Sequence, residues 1–357
     1  MFYLKNLYRW LSTITISAIA LGSCTANVPL INTNSNSSQS PTKRLRIVTT
    51  FIPITDFTKA VAGDRADVTQ LLPTNIGPHD FQAKPEDAQK LTKADVLIEN
   101  GLGMETFLDE LIKNAGNSNL KIIDSSKGVQ TISTDAIAGK KQTQSKQVAF
   151  NPHIWLDPKR AIQQVENIRD GLVAADPDGK DIYIINAAAY TVKLQKLDSE
   201  FTQKLQPYAG KTFVTYHDFA PYFAQSYNLK AQFLVGIPEE NASPADVTRV
   251  INAAKDSKLK TLLTEPQAVE NPFSALAKDL NVQIGNFDPM ETAIATGVLP
   301  DYYFSTMRQN LTNLEAAFGA KPTLSFLPNK SQSEFLTRSF NQFANSGFDF
   351  TVGKIKT

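Results

Sequence analysis

The chain has 357 residues, with 36 basic and 35 acidic side chains, one cysteine and three histidines. An apolar content of 42% and a charged content of 20% suit a globular chain with material for two ordinary domains or one large one, and exclude a disordered or fibrous chain. A formal net charge of +1 gives no basic surface for nucleic acid, and a single cysteine excludes both an intrachain disulfide framework and every cysteine-based zinc cluster.

In chain order, residues 1–23 carry Lys5 and Arg9 and then an uncharged run rich in Leu, Ile and Ala. That run, about 14 residues, falls short of the ~20 needed to span a bilayer but fits the core of a signal peptide. It ends in Leu21-Gly22-Ser23-Cys24, which resembles the bacterial lipobox, where small residues precede a cysteine that becomes lipidated. Cys24 is therefore the expected lipid anchor, and several acyl chains on one residue would give stable membrane attachment. Residues 24–43 continue as an almost uncharged stretch rich in Ser, Thr and Asn, the composition of a flexible tether. The expected location is extracytoplasmic (periplasm or cell surface), anchored to a membrane and folded in water.

From Arg44 the pattern changes. Short β-branched runs at 46–52, 68–72, 95–99 and 121–124 alternate with helical patterns at 53–61, 85–93 and 104–114. A second series has runs at 212–216, 231–235, 261–264 and 282–287, separated by helical patterns at 220–227, 244–257 and 272–280. Strand–helix–strand repetition predicts parallel sheets with helical crossovers, an α/β fold in two lobes, 44–180 and 208–319. Between them, Ala187, Tyr190, Leu194, Leu197, Phe201 and Leu205 recur at spacings of three and four. This is one apolar stripe on a helix of about seven turns over 181–207, stiffer than a hinge of loops. Asp176-Pro177 offers a start signal and Pro207 a stop. In the extension 320–357, Phe335, Leu336, Phe340 and Phe343 predict one amphipathic helix.

Gly210-Lys211-Thr212 has the ending of a phosphate-binding loop but lacks the upstream glycine and leads from helix to strand, the reverse of the order needed. HExxH and GxSxG do not occur. The histidines stand out instead. His79 follows a strand in Gly77-Pro78-His79-Asp80-Phe81, His153 precedes a helix in the run 151–158, and His217 closes the strand pattern at 212–216. In open α/β sheets, ligands bind beyond the carboxyl ends of strands. Asp288, after the run 282–287, occupies the same kind of place and can supply oxygen, with Glu265 as a reserve carboxylate. Asp80, Asp157 and Asp218 are candidates to accept hydrogen bonds from the imidazoles or to cap helices, capping being favoured for Asp157 before Pro158. A single histidine in such a context is more often a satisfied core residue than a ligand. Three of three at strand ends or helix starts is a pattern.

Pro78-His79-Asp80-Phe81, the run 151–158, Thr215-Tyr216-His217-Asp218-Phe219 and Phe287-Asp288-Pro289 resemble the four ligand regions of the zinc/manganese (cluster A-I) substrate-binding lipoproteins of metal ABC importers. Asp301-Tyr302-Tyr303 and Asn186-Ala187-Ala188-Ala189-Tyr190 are similar to other parts of that family, so the likeness runs from about 44 to 319. It implies two lobes joined by a rigid helix, with one transported divalent ion in the cleft held by His79, His153, His217 and Asp288. It implies a membrane permease as partner, a monomer, no nucleic acid and no catalysis. Three nitrogens and one carboxylate suit zinc, with manganese as the alternative. The loop 133–150 departs from zinc-type relatives, having Lys140, Lys141 and Lys146 and no histidine, so it does not speak for zinc. Rival readings are a zinc-dependent hydrolase on the three histidines with Asp288 as general base, and a scaffold or adhesin without a metal.

Overall fold

The computed structural model describes residues 44–134, 149–236, 242–266, 273–293 and 301–320. The expected signal peptide, tether and anchor Cys24, residues 135–148 of the lysine-bearing loop, and Phe335, Leu336, Phe340 and Phe343 of the C-terminal extension lie outside the described residues.

The first lobe is built on β1 (Leu45–Thr49), β2 (Ala66–Gln70), β3 (Val96–Glu99) and β4 (Lys121–Asp124), all parallel, in the order β2-β1-β3-β4. Ile47, Val48, Val96, Leu97 and Ile98 are buried in consecutive pairs and triplets, because a parallel sheet is covered on both faces. The helices α1 (Ile52–Ala62), α2 (Pro85–Thr92) and α3 (Leu108–Ala115) make the crossovers. After a segment that passes through His153, α4 (Pro158–Ala175) begins with the Asp157 side chain accepting the amide of Lys159 at 3.2 Å, the capping role expected of it.

Next comes α5 (Lys180–Leu205), 26 residues and about 39 Å long. Its buried face is Tyr183, Ala187, Tyr190, Leu194, Leu197, Phe201 and Leu205, which contains the whole stripe expected from the sequence. The helix packs along α1 and α4 of the first lobe, where Asn186 Nδ2 donates to Val61 O at 3.1 Å.

The second lobe repeats the plan with β5 (Thr212–His217), β6 (Lys230–Val235), β7 (Thr261–Thr264) and β8 (Gln283–Asn286), parallel in the order β6-β5-β7-β8. Its helices are α6 (Pro221–Ser226), α7 (Pro244–Asp256), α8 (Ser274–Leu280) and α9 (Tyr302–Ala317). Ser243 and Asp246 form a reciprocal capping box at the start of α7. α9 lies along α5 through the ion pairs Lys193–Asp301, Arg308–Glu200 and Lys204–Glu315. One apolar core runs without a break from Ile47 and Phe57 through Trp155 to Phe213, Phe219 and Phe287, so the lobes share their interior. A smaller cluster around Val214, Val250, Leu262 and Phe273 covers the outer side of the second sheet.

Because α5 is held by its apolar stripe, Leu194→Ala is expected to destabilise the protein by about 2–4 kcal/mol, while Lys196→Ala on the exposed face stays within about 0.5 kcal/mol. Urea unfolding followed by circular dichroism measures both, and equal effects would show that the stripe is not what fixes the helix.

Candidate metal centre

Four side chains from four segments converge where the lobes meet. His79 comes from the loop between β2 and α2, His153 from the segment before α4, His217 from the last position of β5, and Glu291 from the loop after β8. His153 and His217 are fully buried, Glu291 is nearly so, and His79 is partly open to solvent. One donor atom from each lies within 4.8 Å of every other. His153 Nε2 stands 3.4 Å from His79 Nε2, 3.3 Å from His217 Nε2 and 2.8 Å from Glu291 Oε1. Glu291 Oε1 is 3.7 Å from His79 Nε2 and 3.4 Å from His217 Nε2. A tetrahedron of donors about 2.0–2.1 Å from a central zinc has edges of about 3.3–3.4 Å, and these separations scatter around that value.

The rings are turned by partners on their far sides. Asn151 Oδ1 lies 3.0 Å from His153 Nδ1 and also accepts the His153 backbone N–H at 3.1 Å, while Asn151 Nδ2 donates to Asp218 O at 2.7 Å. These contacts orient the amide, and because its oxygen can only accept, the proton of His153 sits on Nδ1 and the Nε2 lone pair faces the cluster. His217 Nδ1 lies 2.6 Å from Glu265 Oε1, which leaves its Nε2 pointing the same way.

Burial pushes the His153 imidazole down to about 3, so it is neutral at ordinary pH. Burial acts in the same direction on His217 but is outweighed by Glu265 and Glu291, which hold it well above the usual imidazole range. Burial also works against an ionised Glu291, yet His217 and the nearby histidine nitrogens keep that carboxyl well below its usual range. Glu291 Oε1 is buried with no hydrogen-bond donor aimed at it among the described residues. It is close to His153 Nε2, but that nitrogen has no hydrogen to give. His217 Nε2, on a ring that holds its proton, stands 3.4 Å from the same oxygen, and a cation among the four donors would take the place of that proton.

The structure thus brings together His79, His153 and His217 but not Asp288. Asp288 Oδ1 accepts the backbone N–H of Met290 at 2.8 Å, Tyr302 Oη is 3.4 Å from Oδ2, and its own backbone is gripped by Asn310 at 2.8 and 2.7 Å. The short carboxylate folds back onto its own turn, as Asp commonly does, and Met290 passes through the left-handed region at φ 62°. The chain then presents Glu291, three residues later, to the cluster. Glu265 stands behind His217, not among the converging atoms. Among the aspartates expected near the imidazoles, Asp157 caps α4 and pairs with Arg160 and Ser226, and Asp218 offers its main-chain carbonyl to Asn151. Asn151 is a partner of the His153 imidazole and Glu265 of the His217 imidazole.

The ZnuA family, described as "Zinc-uptake complex component A periplasmic", matches residues 47–317. The chain is 31% identical over 293 residues to the metal ABC transporter substrate-binding lipoprotein FimA of Streptococcus parasanguinis, covering 80% of this chain and 93% of FimA. It is 31% identical to the manganese ABC transporter substrate-binding lipoprotein PsaA of Streptococcus pneumoniae, covering 78% of this chain and 90% of PsaA. The crystal structure of the Zn(II)-bound ZnuA-like domain of Streptococcus pneumoniae AdcA superposes with a TM-score of 0.63 at 31% identity, over 77% of this chain and 98% of that domain. With the same two-lobed architecture, and with the expected histidines gathered between the lobes, the chain belongs to the ZnuA family of metal-uptake substrate-binding proteins.

Proposed function

We propose that this protein is the extracytoplasmic component of an ABC importer that captures one Zn²⁺ ion through His79, His153, His217 and Glu291 and delivers it to a membrane permease. The observation that carries the reading is the set of donor separations around the zinc-tetrahedron edge, made by three imidazole nitrogens and one carboxylate oxygen. Four protein donors close a tetrahedral shell and leave no position for an activated water, so the site is one of capture and not of hydrolysis. Manganese, the ion in the name of PsaA, is the second reading. It draws on the same donor atoms, but harder oxygen-rich sites suit it better.

Competition titration against Zn²⁺ and Mn²⁺ is expected to give tighter zinc binding at pH 7.5. The affinity falls as pH drops, and the fall begins above the usual imidazole range, because Glu265 and Glu291 hold a proton on His217 that the metal must displace. Tighter manganese binding under matched conditions would overturn the choice of ion.

Asp288 is proposed to hold the turn that presents Glu291 and not to coordinate the ion. Glu291→Ala should therefore lower zinc affinity by more than about 100-fold, and Asp288→Asn by less, within the 10–100-fold range usual for supporting groups. The reverse ranking would make Asp288 the ligand.

The protein is proposed to be a monomer tethered to the membrane by lipidated Cys24. Among the described residues no helix is long and apolar enough to cross a membrane. Cys24→Ala is expected to move the protein from the detergent phase to the aqueous phase in Triton X-114 partition, and a variant that stays with detergent would rule the anchor out.

A further inference from the structure

His153 is flanked, two residues to each side, by Asn151 and Trp155, both wholly buried. Each reaches across to the second lobe in the same reciprocal way. Asn151 Nδ2 donates to Asp218 O at 2.7 Å, and Asn151 O accepts from the Tyr222 hydroxyl at 2.6 Å. Trp155 Nε1 donates to Pro289 O at 2.8 Å, and Trp155 O accepts from the Tyr303 hydroxyl at 2.7 Å. The two second-lobe carbonyls are not arbitrary points. Asp218 follows His217 directly, and Pro289 lies two residues before Glu291. The segment 151–155 therefore carries one ligand of the centre and grips the main chain beside each of the two ligands contributed by the other lobe.

We infer that Asn151 and Trp155 are positioning residues which set the spacing of the donor atoms, and with it the preference for a small tetrahedral ion. The inference rests on the metal-capture reading above and names what makes the site selective. Asn151 acts twice, since the amide that holds Asp218 O also fixes the tautomer of His153. Trp155 holds only the distance between His153 and the Glu291 turn, and its ring packs edge-on against Phe51 and beside the His153 imidazole at 5.2 Å. Small errors in donor spacing matter more to zinc than to manganese, because zinc sites of this type are four-coordinate and tetrahedral while manganese accepts oxygen-rich octahedral surroundings.

The test uses the full chain carrying Trp155→Phe, Asn151→Ala or Asn151→Asp. Trp155→Phe keeps most of the ring and removes the donor to Pro289. Asn151→Asp keeps an acceptor for His153 Nδ1 and loses the donor to Asp218. Zn²⁺ and Mn²⁺ affinities, the visible absorption of the Co²⁺-loaded protein and the thermal midpoint are measured for each. Trp155→Phe is expected to lower zinc affinity about 10–100-fold, to lower manganese affinity less, and to alter the intensity and position of the cobalt bands. Asn151→Asp should recover part of the zinc affinity lost in Asn151→Ala. The inference is overturned if Trp155→Phe binds zinc within about twofold of wild type with an unchanged cobalt spectrum, even if it melts at lower temperature, because the contact is then only structural. Should Asn151→Ala fail to fold, Trp155→Phe decides alone. A wild-type protein that binds neither ion would sink the metal-capture reading itself, a result distinct from unaltered binding in the variants.

Discussion

A carboxylate facing three imidazole nitrogens in a nearly dry pocket is the constraint on which the rest of this structure depends. Removing an ionised Glu291 from water costs several kcal/mol unless an opposite charge meets it. Glu265, in contact with His217 on the other side of the ring, brings a second acidic group to the same place. A protonated His217 offsets part of this charge, and a divalent cation inside the donor cluster offsets both carboxylates. The charge of the pocket thus selects for the charge of the cargo, and the spacing of the donors selects among ions of that charge.

The two lobes use one topology for different ends. In each sheet the strand order reverses direction beside the first strand, which opens a crevice at the carboxyl ends. In the second lobe, the ends of the adjacent strands β5 and β7 place His217 and Glu265 side by side at that crevice, so the ligand and its carboxylate partner meet across 48 residues of sequence. In the first lobe, the corresponding crevice between β1 and β3 is filled by a buried polar network. Glu105 accepts from Thr50 Oγ1 at 2.7 Å and from the amides of Asn100 and Gly101 at 2.7 and 3.1 Å, and burial pushes its carboxyl up to about 7. Asn100 then donates to Pro152 O at 3.0 Å, the residue before His153. The first crevice thus holds in place the segment that carries His153.

How much of this was legible in the sequence follows from how local each signal is. The apolar stripe of α5 and the Asp157–Pro158 cap are set by neighbours three to four residues apart or fewer, and both could be read in advance. The three histidines were legible through scarcity and position, since all stood near strand ends or helix starts. The carboxylate that joins the three histidines lies three residues beyond the expected Asp288, which has the better position after a strand. An Asp-Pro pair is nevertheless a turn signal, and a side chain that accepts the N–H two residues on is committed to its own backbone. The longer Glu291 side chain, beyond the turn, was the one free to reach inward. Asn151 and Glu265 were illegible as imidazole partners for different reasons: Glu265 meets His217 only through tertiary packing, and Asn151 was hidden in the same motif that announced His153.

The division of work between the lobes follows from these contacts. The carboxylates Glu291 and Glu265 both belong to the second lobe, whereas the first lobe contributes the imidazoles of His79 and His153, the latter backed by an uncharged amide. A carboxylate behind an imidazole raises its basicity as a ligand more than an amide does. The second lobe therefore supplies most of the electrostatic attraction for a cation. The first lobe, through Asn151 and Trp155, supplies the distances at which that attraction acts. Neither lobe alone has both, so capture requires the two faces to be in register. The continuous apolar core, the length of α5 and the ion pairs between α5 and α9 all serve to keep them so.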